Sequence, residues 1–175
     1  MTSSDIITTD EAFMAKALDL AEKALGQGEF PVGCVIANTK AVVARGYRLG
    51  TSSGAGNEID HAEMNALREL SSNRDVSERS ELTVYSTLEP CLMCYSAILL
   101  SGITRIVYAY EDVMGGGTNL DRSGLPSLYR EARLSVVSGV LRKESLLLFK
   151  RFFSDPNTVY WTHSPLSRHA LSQHG

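Results

Sequence analysis

The segment Pro90-Cys91-Leu92-Met93-Cys94 constrains this chain more than any other. Proline is favoured at a first helical position, where its missing N–H is an unpaired donor in any case. A helix starting there sets Cys91 and Cys94 at i and i+3, on one face of its first turn. The helix N-terminus favours thiolates, so the pair reads as metal or redox chemistry. The third cysteine, Cys34, has no partner at comparable spacing, and an odd total makes a poor disulfide framework. Stability must then come from an apolar core. A chain of 175 residues suffices, as one domain of that size buries roughly 70% of its unfolded surface.

The rest of the chain alternates between helical and strand periodicity, with no internal repeat or low-complexity tract. Thr9 or Asp10 can cap a first helix whose stripe includes Phe13, Ala17, Leu18, Ala21 and Leu25, ending at Gly26 and Gly28. Residues 32–37 and 41–47 read as a hairpin about the turn residues Asn38, Thr39 and Lys40. A Ser/Gly loop, expected to be mobile, spans 50–56. Asp60 can cap a helix over 61–70. Strand 82–87, helix 90–102, strand 105–110, a glycine-rich loop at 114–126, helix 128–133, strand 135–140 and helix 142–153 follow. Residues 155–175 read as a tail. Strands separated by helices imply parallel crossovers, and the early hairpin an antiparallel edge. The expected architecture is α/β: a three-layer α/β/α sandwich around a mixed five-stranded sheet.

His61 joins the two cysteines as a third candidate ligand, at the start of its own helix. One imidazole and two thiolates suit zinc, and three protein ligands leave a fourth position open for water, the stoichiometry of a catalytic site. Glu63 lies two residues on. From there a carboxylate can flank the attacking water and pass protons to a ring nitrogen and a leaving amine. A C-x-x-C alone could equally be a redox pair or half a zinc ribbon, and H-x-E alone is close to noise. Together, about thirty residues apart and each at a helix start, they form one pattern.

The pattern His61-Ala62-Glu63 followed by Pro90-Cys91-Leu92-Met93-Cys94 is the signature of zinc nucleobase deaminases. The chain resembles the cytidine and deoxycytidylate deaminase superfamily. Within it, the chain is most similar to the branch of bacterial tRNA adenosine deaminases, guanine deaminases and related small nucleoside deaminases. Phe30-Pro31-Val32-Gly33, residues 61–67 and residues 87–94 carry the likeness, which runs from about 12 to 153. The resemblance implies a cytidine deaminase-like fold, one Zn2+ per chain held by His61, Cys91 and Cys94, Glu63 as proton shuttle, a base pocket lined by backbone near Ala62 and Pro90, and a homodimer. Many relatives carry Asn in a Gly-aromatic-Asn pattern that hydrogen-bonds the base. Here the pattern reads Gly46-Tyr47-Arg48, so Arg48 is either a donor-only substrate contact or a solvated charge. Glu89 could line the pocket or tie down the turn before Pro90. Trp161 could stack on a base as part of a lid or simply anchor the tail. Cys34 reads as a buried free thiol, and His163, His169 and His174 as surface residues.

The division expected is a zinc-dependent deaminase domain at 1–154 and a C-terminal tail, able to act as an active-site lid, at 155–175. The net charge of −3 lacks the basic excess of a dedicated RNA binder, and Phe152-Phe153 is followed by Ser154-Asp155-Pro156 rather than by the basic residues usual in the tRNA enzymes. These features favour a free nucleobase or nucleoside substrate, with ammonia released. The alternative is adenosine-34 to inosine deamination in tRNA. A non-catalytic zinc-binding partner subunit is a third reading, which the presence of Glu63 opposes. The polar start and the lack of an 18-residue apolar run point to a cytoplasmic protein with no membrane partner.

Overall fold

A computed structural model describes residues 3–52, 56–73 and 78–173, with side chains from residue 9 onward. Helix α1 (Ser3–Gly26) buries Phe13, Met14, Ala17, Ala21 and Ala24 along one stripe. It begins earlier than a cap at Thr9 or Asp10 would allow. Asp10 lies in the helix body, 6% exposed, and accepts hydrogen bonds from the Tyr85 hydroxyl at 2.9 Å and from Arg105 Nη1 and Nη2 at 2.8 and 2.7 Å. A forked guanidinium–carboxylate pair outcompetes the local capping role.

Strands β1 (Gly33–Ala37) and β2 (Val42–Tyr47) form the expected hairpin. Asn38 Oδ1 accepts from the Lys40 and Ala41 N–H groups at 2.9 and 2.8 Å, an Asx turn. Helix α2 (Ala62–Ser72) leads to β3 (Thr83–Leu88), antiparallel to β1. Helix α3 (Leu92–Leu100) then crosses to β4 (Arg105–Tyr110), and the single turn α4 (Ser127–Arg130) precedes β5 (Ser135–Ser138). β3, β4 and β5 run parallel, and the five strands lie in the order β2-β1-β3-β4-β5. Two-residue alternation sorts side chains between the faces. Val35, Ala37, Tyr85, Val107 and Ala109 pack under α1. Cys34, Ile36, Val84 and Ile106 face α2 and α3. Cys34 is a fully buried thiol, and burial pushes its pKa up.

Two glycines set how closely the helices approach the hairpin. A Cβ on Gly33 would lie 2.1 Å from Ala17 O of α1, and a Cβ on Gly46 would lie 2.1 Å from Ala62 O of α2. Backbone meets backbone at both points, from opposite faces.

After α5 (Arg142–Ser154) the chain folds into a further helix, α6 (Pro165–Ser172), where the sequence suggests only a tail. Ser164 caps it by accepting the Ser167 N–H at 3.0 Å, with Pro165 at its start. Leu166 and Ala170 are fully buried in the main core. His169 is no simple surface residue, because its Nε2 lies 2.9 Å from Glu111 Oε1. His174 and residues 53–55 of the Ser/Gly loop lie outside the described residues. Among the described residues no helix is long and apolar enough to cross a membrane.

Glu29 ties the segment before β1 to the loop after β2. Its Oε2 accepts from the Thr51 N–H and hydroxyl at 2.6 and 2.5 Å, and its Oε1 accepts from the Ser52 hydroxyl at 2.7 Å. Burial raises its pKa, but these hydrogen bonds outweigh it and bring the carboxyl down to about 2. A depressed carboxyl stabilises the fold above its unfolded value of 4.5, and that contribution is lost as the pH falls towards 2. Acid unfolding followed by circular dichroism should steepen across this window, and Glu29→Gln should flatten that limb while lowering stability at pH 7. An unchanged limb would assign the acid sensitivity to other carboxylates.

Candidate active site

The two helix starts that carry the motifs face each other. His61 and Cys91 both occupy N-cap positions with extended backbone, at φ −65° and −67°, and neither side chain caps its own helix. The helices therefore begin at Ala62 and Leu92, later than the sequence suggests. Asp60 does not cap α2; it pairs with Arg68 and accepts from Asn57 Nδ2. Pro90 precedes the N-cap, and its carbonyl accepts the Gly117 N–H at 2.9 Å. An N-cap side chain freed from capping projects past the helix end, so two such residues can converge across a gap.

They do converge. His61 Nδ1 lies 3.5 Å from Cys91 Sγ and 3.5 Å from Cys94 Sγ, and the three ligand atoms fall within 4.8 Å of one another. Zinc bonds of roughly 2.0–2.1 Å to nitrogen and 2.3 Å to sulfur, at a tetrahedral angle, separate N and S by about 3.5 Å. The residues fit the ion. The hydrogen bond from Cys94 brings Cys91 down to about 4, against burial and with the His61 contact adding to it. Cys94, the donor in that pair and deeply buried, is pushed up. Burial lowers the His61 pKa, but the Cys91 hydrogen bond and the Glu63 and Cys91 charges outweigh it, so His61 is raised.

Glu63, 3% exposed, sits beside this centre on the first turn of α2. Its Oε1 accepts from the Ser86 hydroxyl at 2.9 Å, and its Oε2 lies 3.5 Å from Cys94 Sγ. Burial is the dominant influence on its pKa and raises it. Ser86 and its neighbour Thr87 are both fully buried polar residues of β3, and nothing in the sequence sets Ser86 apart from Thr87.

A pocket with about 450 Å³ of space, part of it open to solvent, adjoins the centre. Phe30, Val32 and Leu88 give it apolar walls, and Ala62 and Glu63 lie within it. Pro90 does not line it. Glu89 does, and it also holds the glycine loop: its Oε1 accepts from the Thr118 N–H at 3.2 Å and its Oε2 from the Asp112 N–H at 3.2 Å. Gly117 belongs to that packing, since a Cβ there would come within 2.9 Å of Leu92.

Arg48 is not a solvated charge: it is 2% exposed and lines the pocket. Tyr160 and Trp161 line it as well, their rings stacked at 4.6 Å, with Trp161 edge-on to Phe30 at 5.7 Å. Trp161 holds a left-handed φ of 54°, costly for a bulky residue. Asp112, Glu58 and Tyr160 join the site through loops and the tail, and no motif marks them.

The α/β/α sandwich and its one-histidine, two-cysteine centre define a zinc-binding deaminase domain. Residues 7–110 match the family model of the cytidine and deoxycytidylate deaminase zinc-binding region, and the chain belongs to that family. It is similar to the tRNA-specific adenosine deaminase of Bacillus subtilis (strain 168), at 33% identity over 85% of this chain and 91% of that one. The tRNA-specific adenosine deaminase of Haemophilus influenzae is 36% identical over 82% and 83% of the two chains. A solved structure from work on A-to-I editing by tRNA:A34 deaminases superposes with a TM-score of 0.66 at 28% identity, covering 78% of this chain and 98% of that one. The guanine deaminase of Nitrosomonas europaea shares the fold, with a TM-score of 0.65 at 20% identity over 81% and 83% of the two chains.

Proposed function

We propose that the chain is a zinc-dependent hydrolytic deaminase that converts adenosine 34 of tRNA to inosine and releases ammonia. The observation that carries this reading is similarity at 33% and 36% identity, over more than four fifths of the chain, to tRNA-specific adenosine deaminases. It reverses the preference for a free base drawn from the acidic balance. Composition averages the whole surface, whereas RNA binding needs only a local one.

His61, Cys91 and Cys94 would hold the zinc. When bound, zinc supplies Lewis acidity that lowers the pKa of water towards ~7. Glu63, fixed by Ser86, takes one proton from the attacking water and passes it to the ring nitrogen, then takes the second from the hydroxyl that water has become and passes it to the departing amine. Phe30, Val32, Leu88 and Trp161 enclose the base and exclude bulk water, with residues 155–164 as a lid over the deaminase domain. A loop base already unstacked suits such a pocket. The exposed Leu92 and Leu100 on α3 support a homodimer through that face, and a tRNA substrate supports a cytoplasmic location.

One observation favours the small-molecule reading: Tyr160 and Trp161 narrow the pocket from the tail side. Ammonia release from zinc-loaded protein decides between them, assayed on an adenosine-34 stem-loop, on adenine, guanine and cytosine, and on their nucleosides. Inosine formed in the stem-loop is expected. Turnover of a free base or nucleoside with none of the RNA would overturn the tRNA reading and reinstate the small-molecule one.

A further inference from the structure

Arg48 is a buried cation that the deamination chemistry above does not use. Its backbone N–H bonds Val32 O at 2.9 Å, and its side chain is 3% exposed. Nη1 donates to Leu49 O at 2.9 Å, and Nη2 donates to Glu58 Oε2 at 3.2 Å and to the Tyr160 hydroxyl at 3.4 Å. A guanidinium carries five N–H donors, and these three bonds leave two without a partner among the described residues. Burying such a charge is costly unless it is well paired, and its counter-ion Glu58 has a side chain 49% exposed.

The Glu58 carboxylate is the hub of this cluster. The Tyr160 hydroxyl reaches its two oxygens at 3.1 and 2.9 Å, and His61 Nε2 lies 3.8 Å from Oε2. Arg48, Tyr160 and His61 all line the pocket. An anion thus already sits among three pocket residues, supplied by a half-exposed side chain that can swing into solvent. The guanidinium fork matches carboxylate and phosphate oxygens alike.

We propose, on the reading of this pocket as a site for nucleotide-derived bases, that Arg48 and Tyr160 form a phosphate subsite at its mouth and that Glu58 is an internal stand-in which the substrate phosphate displaces. The phosphate is either the RNA backbone diester beside an extruded base or the monoester of a free nucleotide. Displacement sets opposite signs for the two partners. Losing Arg48 weakens phosphate-bearing ligands, whereas neutralising Glu58 removes a competitor and strengthens them. A purely structural ion pair would weaken binding in both cases.

Calorimetric binding to the zinc-loaded full chain carrying Glu63→Ala tests this without consuming ligand. The ligands are the adenosine-34 stem-loop, the same RNA with neutral methylphosphonates flanking residue 34, adenosine 5′-monophosphate and adenosine. With Arg48 in place, removing the phosphate charge should weaken binding by about tenfold or more. In Arg48→Met the same change should cost less than about twofold, and the salt dependence of RNA binding should be shallower by about one. Glu58→Gln should tighten the phosphate-bearing ligands by several-fold relative to adenosine. Arg48→Lys, which keeps the charge, should retain part of the gain and guards against a misfolded Arg48→Met. Equal losses with and without Arg48, Glu58→Gln weakening every ligand, or no binding at all would overturn the subsite. A response to the monophosphate with inert RNA would sink the tRNA reading and keep the subsite; a response to the RNA alone assigns the backbone phosphate.

Discussion

Glu63→Ala should lower kcat by about 10²- to 10⁴-fold, the usual contribution of a positioned general acid–base group, while the protein keeps close to one zinc per chain. The three ligand atoms stay within 4.8 Å of one another without any contribution from Glu63, so the metal loses no ligand. What disappears is the carboxylate beside Cys94 Sγ and its anchor on Ser86. Glu63→Gln controls for shape: it fills the same space, can still accept from Ser86, and cannot carry the proton. Steady-state rates and elemental zinc analysis on the same preparations separate the outcomes. Full turnover in either variant would place the proton carrier elsewhere. Lost zinc would make Glu63 a support of the metal centre instead of its chemical partner.

Gly46→Ala should destabilise the protein by about 3 kcal/mol, the upper range for overpacking, lowering Tm by roughly 6–12 °C for a chain of this size. The added methyl would lie 2.1 Å from Ala62 O and 2.5 Å from Ala66 N. Both are backbone atoms of α2, so no side-chain rotation relieves the clash, and the helix must move. Ala62 sits between His61 and Glu63, so that movement also shifts a zinc ligand and the proton carrier. Zinc retention on dialysis should fall along with Tm. Gly26→Ala is the matched control, because its Cβ would meet nothing within 4 Å. A Gly46→Ala protein melting within a degree of the native one would show that α2 is not pinned to β2 at this point.

The candidate site was legible where spacing along one segment does the work. Cys91 and Cys94 stand three residues apart, at the N-cap and in the first turn of α3, and Glu63 stands at a fixed offset from His61. The strand alternation that sorts Val35 from Ile36 onto opposite faces is equally local. Helix starts were less legible. Pro90 and Asp60 looked like a first residue and a cap, yet the helices start at Leu92 and Ala62, because the Pro90 carbonyl bonds Gly117 beside the antiparallel Cys91–Gly116 bridge and Asp60 is taken by Arg68 and Asn57. In α6, the Ser164-Pro165 start and the Leu166–Ala170 spacing carried a helix signal, short enough to pass for a tail. Tertiary contacts hid the fate of the basic residues at the end of α5: Arg151 forms an ion pair with Glu22 of α1 at 2.7 Å, and Lys150 donates a hydrogen bond to the backbone carbonyl of Gln173 at 2.5 Å.

By itself the sequence determined the mixed α/β layering, the identity of the zinc ligands to be tested, and the deaminase class, since each follows from periodicity or from residue types at short, fixed spacings. Only the tertiary structure decided that Arg48 is buried beside Glu58 and Tyr160, that Ser86 orients Glu63, and that residues 160 and 161 wall the pocket. These contacts join residues 10 to 112 positions apart. Which of many possible partners a polar side chain meets is set by how the layers pack, by two glycines that let helix backbones touch the hairpin, and by the cost of leaving a buried charge unpaired.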